Sequence, residues 1–211
     1  MFDKHITLGC MLYGSLLLCA PPLKADSGPE SKAATGRDVY VGLSVGGIAI
    51  LPDGFNDVDT SKTAHVRASV GVFAGLRVGA LPVAKGLPVY AEVGYQDIGR
   101  HTVAYKVPGG TSELTAQGHS VYAAAKLHLW TPGRFAVYGK LGVARNSVDG
   151  STPPGQTAIP INGHSTGLLW GLGVQYDFDN RLSLRAELTD YGNASPKSSA
   201  AGVSAGLAYR F

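Results

Sequence analysis

GVSAGLAYRF, residues 202–211, is the stretch that decides the fold. Apolar residues alternate in it with small or polar ones, and the apolar parity holds Val203, Ala205, Leu207, Tyr209 and Phe211. A period of two residues is that of a β-strand, and one apolar parity means that lipid or core lies on one side only. The stretch therefore predicts a half-buried strand that ends on an aromatic residue.

The same alternation returns in seven earlier segments. With the last one, the predicted strands are residues 37–47, 65–80, 87–98, 118–130, 134–146, 165–178, 181–192 and 199–211. The connections alternate as well: 81–86, 131–133 and 179–180 are short, whereas 48–64, 99–117 and 147–164 are long and polar. Short turns at one end and long loops at the other are typical of up-and-down barrels. The sequence therefore predicts an all-β, eight-stranded antiparallel up-and-down barrel over residues 37–211.

The charged residues of these segments indicate the surroundings of the barrel. Those that oppose the apolar parity are Arg67, Arg77, Glu92, Lys126, Lys140, Asp177, Arg185, Glu187 and Arg210, and we expect the apolar faces to carry no charge. A secreted, lipocalin-like barrel would show the same alternation with the apolar side inside. The charged parity is also rich in glycine, which suits a crowded, narrow interior, and aromatic residues lie near strand ends on the apolar parity, as in interfacial girdles. Both features favour a transmembrane barrel.

The first 25 residues have the composition of an export signal. Lys4 precedes an almost wholly apolar run, residues 6–19, which is too short to span a membrane as a helix. We expect a signal peptide over residues 1–25, cleaved after Ala25, and a periplasmic linker over residues 26–36. Both cysteines, Cys10 and Cys19, lie in this leader, and an acylated Cys19, as in a lipoprotein, is the alternative. A net charge of +3 is too small to indicate nucleic-acid binding.

Taken together, these features resemble the small outer-membrane barrels, a family that includes the OmpA transmembrane domain and opacity-type surface proteins. The resemblance implies a Gram-negative outer-membrane protein with a structural or surface-interaction role. It also implies contact with outer-membrane lipid and lipopolysaccharide, the barrel assembly machinery and a possible extracellular ligand bound through the loops. A final strand that stops on Phe resembles the family's assembly signal, here Leu207, Tyr209 and Phe211.

Charged residues on the inward parity predict a network inside the barrel. Its members are Arg77, Glu92, Lys126, Lys140, Arg185 and Glu187. Two interpretations remain open. The carboxylates could exchange partners and gate a narrow small-solute channel, or the charges could form a static plug, because eight strands enclose little more than their own side chains. Unpaired charges there would be costly, so some pairing is expected in both cases.

Catalysis is the third functional alternative, because some outer-membrane barrels modify lipids or cleave peptides. His65, His119 and His164 all begin predicted strands, and two of them precede a serine. Adjacent residues of a strand point to opposite faces, so neither His-Ser pair can share a site. We therefore expect no enzyme activity, no catalytic residues, no cofactor and no metal site.

Overall fold

The computed structural model describes residues 38–52, 65–66, 68–81, 86–107, 110–152, 154–155, 162–179, 181–195 and 198–211. The signal peptide and the linker expected at residues 1–25 and 26–36 lie outside the described residues. In the described part of the chain, no helix is long and apolar enough to cross a membrane.

The described chain is built of antiparallel strands. They are β1 (Val39–Pro52), β2 (His65–Val66), β3 (Ser69–Leu81), β4 (Leu87–Val107), β5 (Gly110–Trp130), β6 (Phe135–Ser151), β7 (Gly163–Asp177), β8 (Leu182–Ser195) and β9 (Ser198–Arg210). Each long strand pairs with its neighbour in the chain, β9 pairs with β1, and the two-residue β2 extends the edge beside β4. The predicted eight-stranded up-and-down barrel is confirmed.

The two ends of the barrel differ in their connections. One end, here the short-turn end, holds the strand termini Val39 and Arg210 together with the turns β3–β4, β5–β6 and β7–β8. In the β7–β8 turn, the backbone N–H groups of Leu182 and Arg181 donate to the Asp179 carboxylate, and these bonds hold its pKa below the ordinary value. The opposite end, where β4 and β5 reach furthest, is the long-loop end.

The two faces of the strands match a membrane rather than water. Large apolar side chains point outward and form an apolar belt around the barrel, with Leu43, Leu141 and Leu168 between 58% and 62% exposed. Glu92 and Lys126 point inward, at 0% and 2%. A soluble barrel would reverse these values, because burial of apolar surface is its main source of stability. Outward aromatic residues ring the short-turn end, where Trp130, Phe135, Tyr176, Phe178, Tyr209 and Phe211 lie in edge-to-face pairs. The predicted transmembrane orientation of the two faces is confirmed.

Inward glycines provide the space that inward aromatic rings occupy. The Tyr40 ring lies against Gly75 on the neighbouring strand, and the Tyr138 ring lies in the same way against Gly173. Phe73 and Tyr122 occupy the same position over Gly42 and Gly94. A Cβ atom at any of these glycines would overlap the ring, so the glycines of the inward parity reflect ring packing inside a narrow barrel.

The prediction of a long loop at residues 99–117 is wrong, because most of this segment is a β-hairpin. β4 continues to Val107 and β5 starts at Gly110, with pairs from Arg100↔Gln117 to Val107↔Gly110. Beyond the apolar belt neither face meets lipid, so the sequence loses its alternation, while backbone groups are still satisfied by the ladder. The parity changes at a bulge at Gly99, which has φ +79°.

The expectation that the outward faces carry no charge is wrong at the long-loop end. Asp97, Arg145 and Asp190 lie on the outward parity, just past the last large apolar residues. The two carboxylates each accept a backbone N–H two residues further on, from Gly99 at 3.0 Å and from Gly192 at 2.7 Å. Both glycines have positive φ, so each Asp-x-Gly stabilises a bulge where its strand leaves the apolar belt.

Candidate functional site

The lumen holds two buried carboxylates, and each belongs to a row of three residues across neighbouring strands. In the first row Tyr40 pairs with Gly75, and Gly75 pairs with Glu92. The ring crosses the glycine, and its hydroxyl donates to Glu92 Oε2 at 2.8 Å. The middle glycine is required because any side chain there would block the tyrosine from the carboxylate.

The second row repeats the first on the opposite side of the barrel. Tyr138 pairs with Gly173, which pairs with Glu187, and the Tyr138 hydroxyl donates to Glu187 Oε2 at 3.0 Å. Thr189, two residues further along the same strand and on the same face, also donates to Glu187. Neutral hydroxyl groups therefore help to orient both carboxylates, independently of the cations.

Two cations join the rows. Lys140 Nζ lies 2.8 Å from Glu92 Oε1 and 2.7 Å from Glu187 Oε1, and Arg185 Nη1 lies 2.8 Å from Glu92 Oε2. The Tyr122 hydroxyl adds a fourth donor to Glu92 at 3.0 Å. Charge-assisted bonds of this length between buried groups are strong, and removal of one partner typically costs about 3–5 kcal/mol.

Lys126 is buried beside these charged groups but forms no ion pair with a described carboxylate. Its Nζ donates to Gln175 Oε1 at 2.8 Å and lies 4.1 Å from the centre of the Tyr138 ring. An amide oxygen and a π-face each stabilise an ammonium group, and neither neutralises it. We call Glu92, Lys126, Lys140, Arg185 and Glu187 the charge network.

Arg77 was predicted in the same network, and the structure places it elsewhere. Its side chain is 39% exposed at the short-turn end, where Nη1 lies 3.6 Å from Asp38 Oδ2. Parity alone put Arg77 inside, but its position near the end of β3 brings it to the mouth of the barrel rather than to the level of Glu92.

Above the charge network, toward the long-loop end, large apolar side chains fill most of the described lumen, beside the buried polar side chains of Gln96, Ser120 and Asn146. The apolar ones, here called the apolar plug, are Ile48, Ile50, Ile98, Val148, Leu169 and Tyr191. Below the charge network, toward the short-turn end, Tyr90 of β4 packs inside the lumen against Tyr40 of β1 and His128 of β5. The described interior is therefore filled by side chains at three successive levels.

The neutral members of the site were not predicted from the sequence. These neutral residues supply five hydrogen bonds to the charged groups, which make three ion pairs with one another; they are Tyr40, Tyr122, Tyr138, Gln175 and Thr189. A signal was present, because each tyrosine shares the inward parity with the carboxylates and faces a glycine on the next strand. This signal can be recognised only when the register between the strands is known.

The three histidines do not form a catalytic group in the described structure. His119 and His164 point outward, whereas Ser120 is fully buried, and the side chain of His65 lies outside the described residues. Register places Asp97, His119, Ser147 and His164 in one outward row, but His119 stacks on Tyr95 at 5.7 Å and no described hydrogen bond joins it to Ser147. No group of three described His, Cys, Asp or Glu residues could hold a metal ion.

The geometry agrees with what the chain resembles among known proteins. The model of the OmpA-like transmembrane domain family matches residues 34–211. The chain belongs to this family. No curated protein matches it.

Three solved structures illustrate the likeness of this OmpA-like barrel to known ones. Neisserial surface protein A is 17% identical, with a TM-score of 0.50 over 82% of this chain and 97% of that one. Ail of Yersinia pestis, in complex with the heparin analogue sucrose octasulfate, is 14% identical, with a TM-score of 0.49 over 83% and 99%. The N-terminal β-barrel domain of Pseudomonas aeruginosa OprF is 15% identical, with a TM-score of 0.46 over 83% and 100%. At these identities the likeness to Neisserial surface protein A concerns the fold alone.

Proposed function

We propose that this protein is a non-catalytic outer-membrane barrel that acts at the cell surface, either as a structural element or by binding an extracellular ligand through its long-loop end. One observation carries the proposal. The outward belt is apolar and the described lumen is filled, so the long-loop end is the part of the barrel left for recognition. The short-turn end then lies in the periplasm, as is usual for barrels of this family.

The β4–β5 hairpin is the main element offered at the surface. β4 and β5 have 21 residues each, against 14 in β1, so the hairpin extends well beyond the apolar belt at roughly 3.4 Å per residue. Its outward pairs include Arg100↔Gln117, joined at 3.1 Å, and Thr102↔Thr115, joined at 3.0 Å. A paired hairpin is a stiff support for the loop tips, which is how surface barrels present recognition residues on a rigid scaffold.

Surface labelling of intact cells tests this arrangement. The cysteine variants Ser112→Cys, near the hairpin tip, and Thr131→Cys, in a short turn, are each treated with a membrane-impermeant maleimide. We expect labelling of the first in intact cells and of the second only after the outer membrane is permeabilised. Labelling of Thr131→Cys alone in intact cells would reverse the orientation and remove the proposed function of the hairpin.

The charge network functions, in this proposal, as a static plug rather than as a gate. Glu92 holds four donors and Lys140 is shared by both carboxylates, so a partner exchange would break several bonds at once. The apolar plug lies on the same axis, and ions cross such a barrier poorly. Purified protein in a planar bilayer should therefore show no steady conductance, and reproducible unitary steps would favour the narrow channel instead.

Export and insertion complete the proposal. Removal of residues 1–25 would leave residues 26–36 in the periplasm and residues 37–211 in the barrel. Leu207, Tyr209 and Phe211 would act as the assembly signal for the barrel assembly machinery. Phe211 is 75% exposed, and its ring lies 5.2 Å from that of Tyr209, so it makes little contact with the folded interior.

Phe211→Ala tests the assembly signal. We expect a clear fall in the amount of protein inserted in cells, with unchanged urea unfolding of the protein that is refolded in vitro. Val203→Ala, outward in the same strand but outside the proposed signal, is the matched control and should keep the yield of the parent. Equal membrane yield for parent and Phe211→Ala would exclude this role of the terminal residue.

A further inference from the structure

A small enclosed cavity lies between the charge network and the short-turn end. Four basic side chains line it, Lys126, His128, Arg185 and Arg210, and its remaining wall includes Gln175 and Ser183. The space that the centre of a water-sized sphere can reach is about 10 Å³. That is room for one water molecule or one monatomic ion and for nothing larger.

Three nitrogen atoms of these side chains are buried and have no hydrogen-bond partner in the described structure: His128 Nε2, Arg185 Nε and Arg210 Nε. His128 and Arg185 are themselves 6% and 4% exposed. Arg185 uses Nη1 on Glu92, so its Nε is a separate, unused donor. Buried donors are almost always paired in folded proteins, so unpaired nitrogen atoms on three side chains that line one cavity indicate that the cavity takes an acceptor.

The charges around the cavity do not balance. Within the charge network, Lys126, Lys140 and Arg185 face only Glu92 and Glu187, which leaves one positive charge in excess. The two neighbouring ion pairs, Asp177 with Arg210 and Asp38 with Arg77, are each neutral and leave this excess unchanged. Asp177 also accepts a hydrogen bond from Gln175, whose amide oxygen binds Lys126. An uncompensated charge in a low-dielectric interior is unfavourable, and Lys126, which contacts an amide oxygen and aromatic rings but forms no ion pair with a described carboxylate, is the group without a counter-ion of its own.

We propose that this cavity binds one halide ion, chloride under ordinary conditions, as the counter-ion of Lys126. A halide accepts hydrogen bonds from every side, so it satisfies the free donors of the two arginines and the Nε2–H tautomer of His128 together. A water molecule accepts at most two such bonds and brings two hydrogens that need acceptors of their own. Sulfate and organic anions do not fit the volume.

Bromide replacement tests the site on the unaltered protein. Crystals grown from detergent in sodium bromide are measured at the bromine absorption edge. We expect an anomalous peak within hydrogen-bond distance of Lys126 Nζ and Arg185 Nε. A cavity with no anomalous peak, or with density only for water, would overturn the proposal.

Stability in different anions tests the same site in solution. Unfolding of the refolded barrel is compared in chloride and in gluconate at equal ionic strength. A chloride concentration ten times the dissociation constant should multiply the folding equilibrium constant by about 11. Lys126→Gln should lose this anion dependence, because it removes the excess charge and keeps a polar side chain. Arg77→Gln, at the exposed mouth of the barrel, should keep it.

Two results would contradict the assignment. Equal stability of the parent protein in chloride and gluconate is one, and an unchanged chloride effect in Lys126→Gln is the other, since it would place the ion elsewhere. If Lys126→Gln does not fold, the bromide experiment on the parent protein decides alone.

Discussion

The charge network and the apolar plug fill adjacent levels of one barrel by opposite means. The charge network depends on directed bonds of 2.7–3.0 Å between named atoms, such as Lys140 Nζ to both carboxylates. The apolar plug depends on volume, with Leu169, Val148 and Ile98 fully buried against one another. Directed bonds select a single arrangement of side chains, whereas apolar packing tolerates exchange between residues of similar size. The difference predicts that the two levels respond to mutation in different ways.

Loss of Glu92 should have the largest effect on stability. Glu92→Gln keeps the shape but removes the charge that faces Arg185 and Lys140, so both cations lose a buried partner. We expect the free energy of unfolding to fall by about 3–5 kcal/mol, measured by urea titration of the barrel in phospholipid vesicles.

Glu187→Gln is the matched control for this prediction. Lys140 would still pair with Glu92. Tyr138 and Thr189 donate to different oxygens of Glu187, so one hydroxyl can donate to the amide oxygen of the variant and the other can accept from its amide nitrogen. The expected loss is therefore smaller. Equal losses for the two variants would show that Glu92 is not the centre of the charge network.

Leu169→Ala, in the apolar plug, should cause the second-largest fall in the free energy of unfolding. The side chain is fully buried, so its truncation leaves a cavity and should cost about 2–4 kcal/mol in the same titration. Leu168→Ala, one residue earlier and 61% exposed, leaves a gap that lipid chains fill, so its loss should be smaller. Leu169→Met should keep most of the stability that Leu169→Ala loses, because the apolar plug depends on side-chain volume rather than on one exact shape. A complete loss of folding in Leu169→Met would remove the contrast with the charge network.

Gly173→Ala should have the smallest of the three effects on stability. It tests whether the charge network depends on the space that an inward glycine leaves for a tyrosine ring. The added Cβ would meet the Tyr138 ring and displace its hydroxyl from Glu187, at about 1–3 kcal/mol. Gly139→Ala is the control, since the nearest atom to a Cβ there is 3.8 Å away. The double variant Gly173→Ala, Tyr138→Ala should be more stable than the sum of the two single losses predicts. Additive losses would mean that the ring and the glycine do not form one unit.

The sequence by itself determined which surface the strand residues face within the apolar belt. A period of two with one apolar parity can be satisfied only by an extended chain between two different media, so strand number, antiparallel order and the outward position of Leu207, Tyr209 and Phe211 could all be predicted. Inward placement of Glu92, Lys126, Lys140, Arg185 and Glu187 followed from the same period. Alternation fails where both faces meet the same medium, and for that reason the β4–β5 hairpin was not predicted. The three outward charged residues keep the alternation but lie past the last large apolar residues, where the outward face accepts charge; they are Asp97, Arg145 and Asp190.

Only the tertiary structure decided which inward residues meet. Glu92 and Arg185 are 93 residues apart and lie on strands that do not pair, so their contact depends on the height of each strand in the closed barrel. That height is the sum of every register around the circle and leaves no local trace in the sequence. The same sum puts Arg77 at the mouth of the barrel, brings Lys140 between two carboxylates and leaves Lys126 beside an amide and a cavity. Parity is a property of each strand, whereas contact across a lumen is a property of the closed barrel.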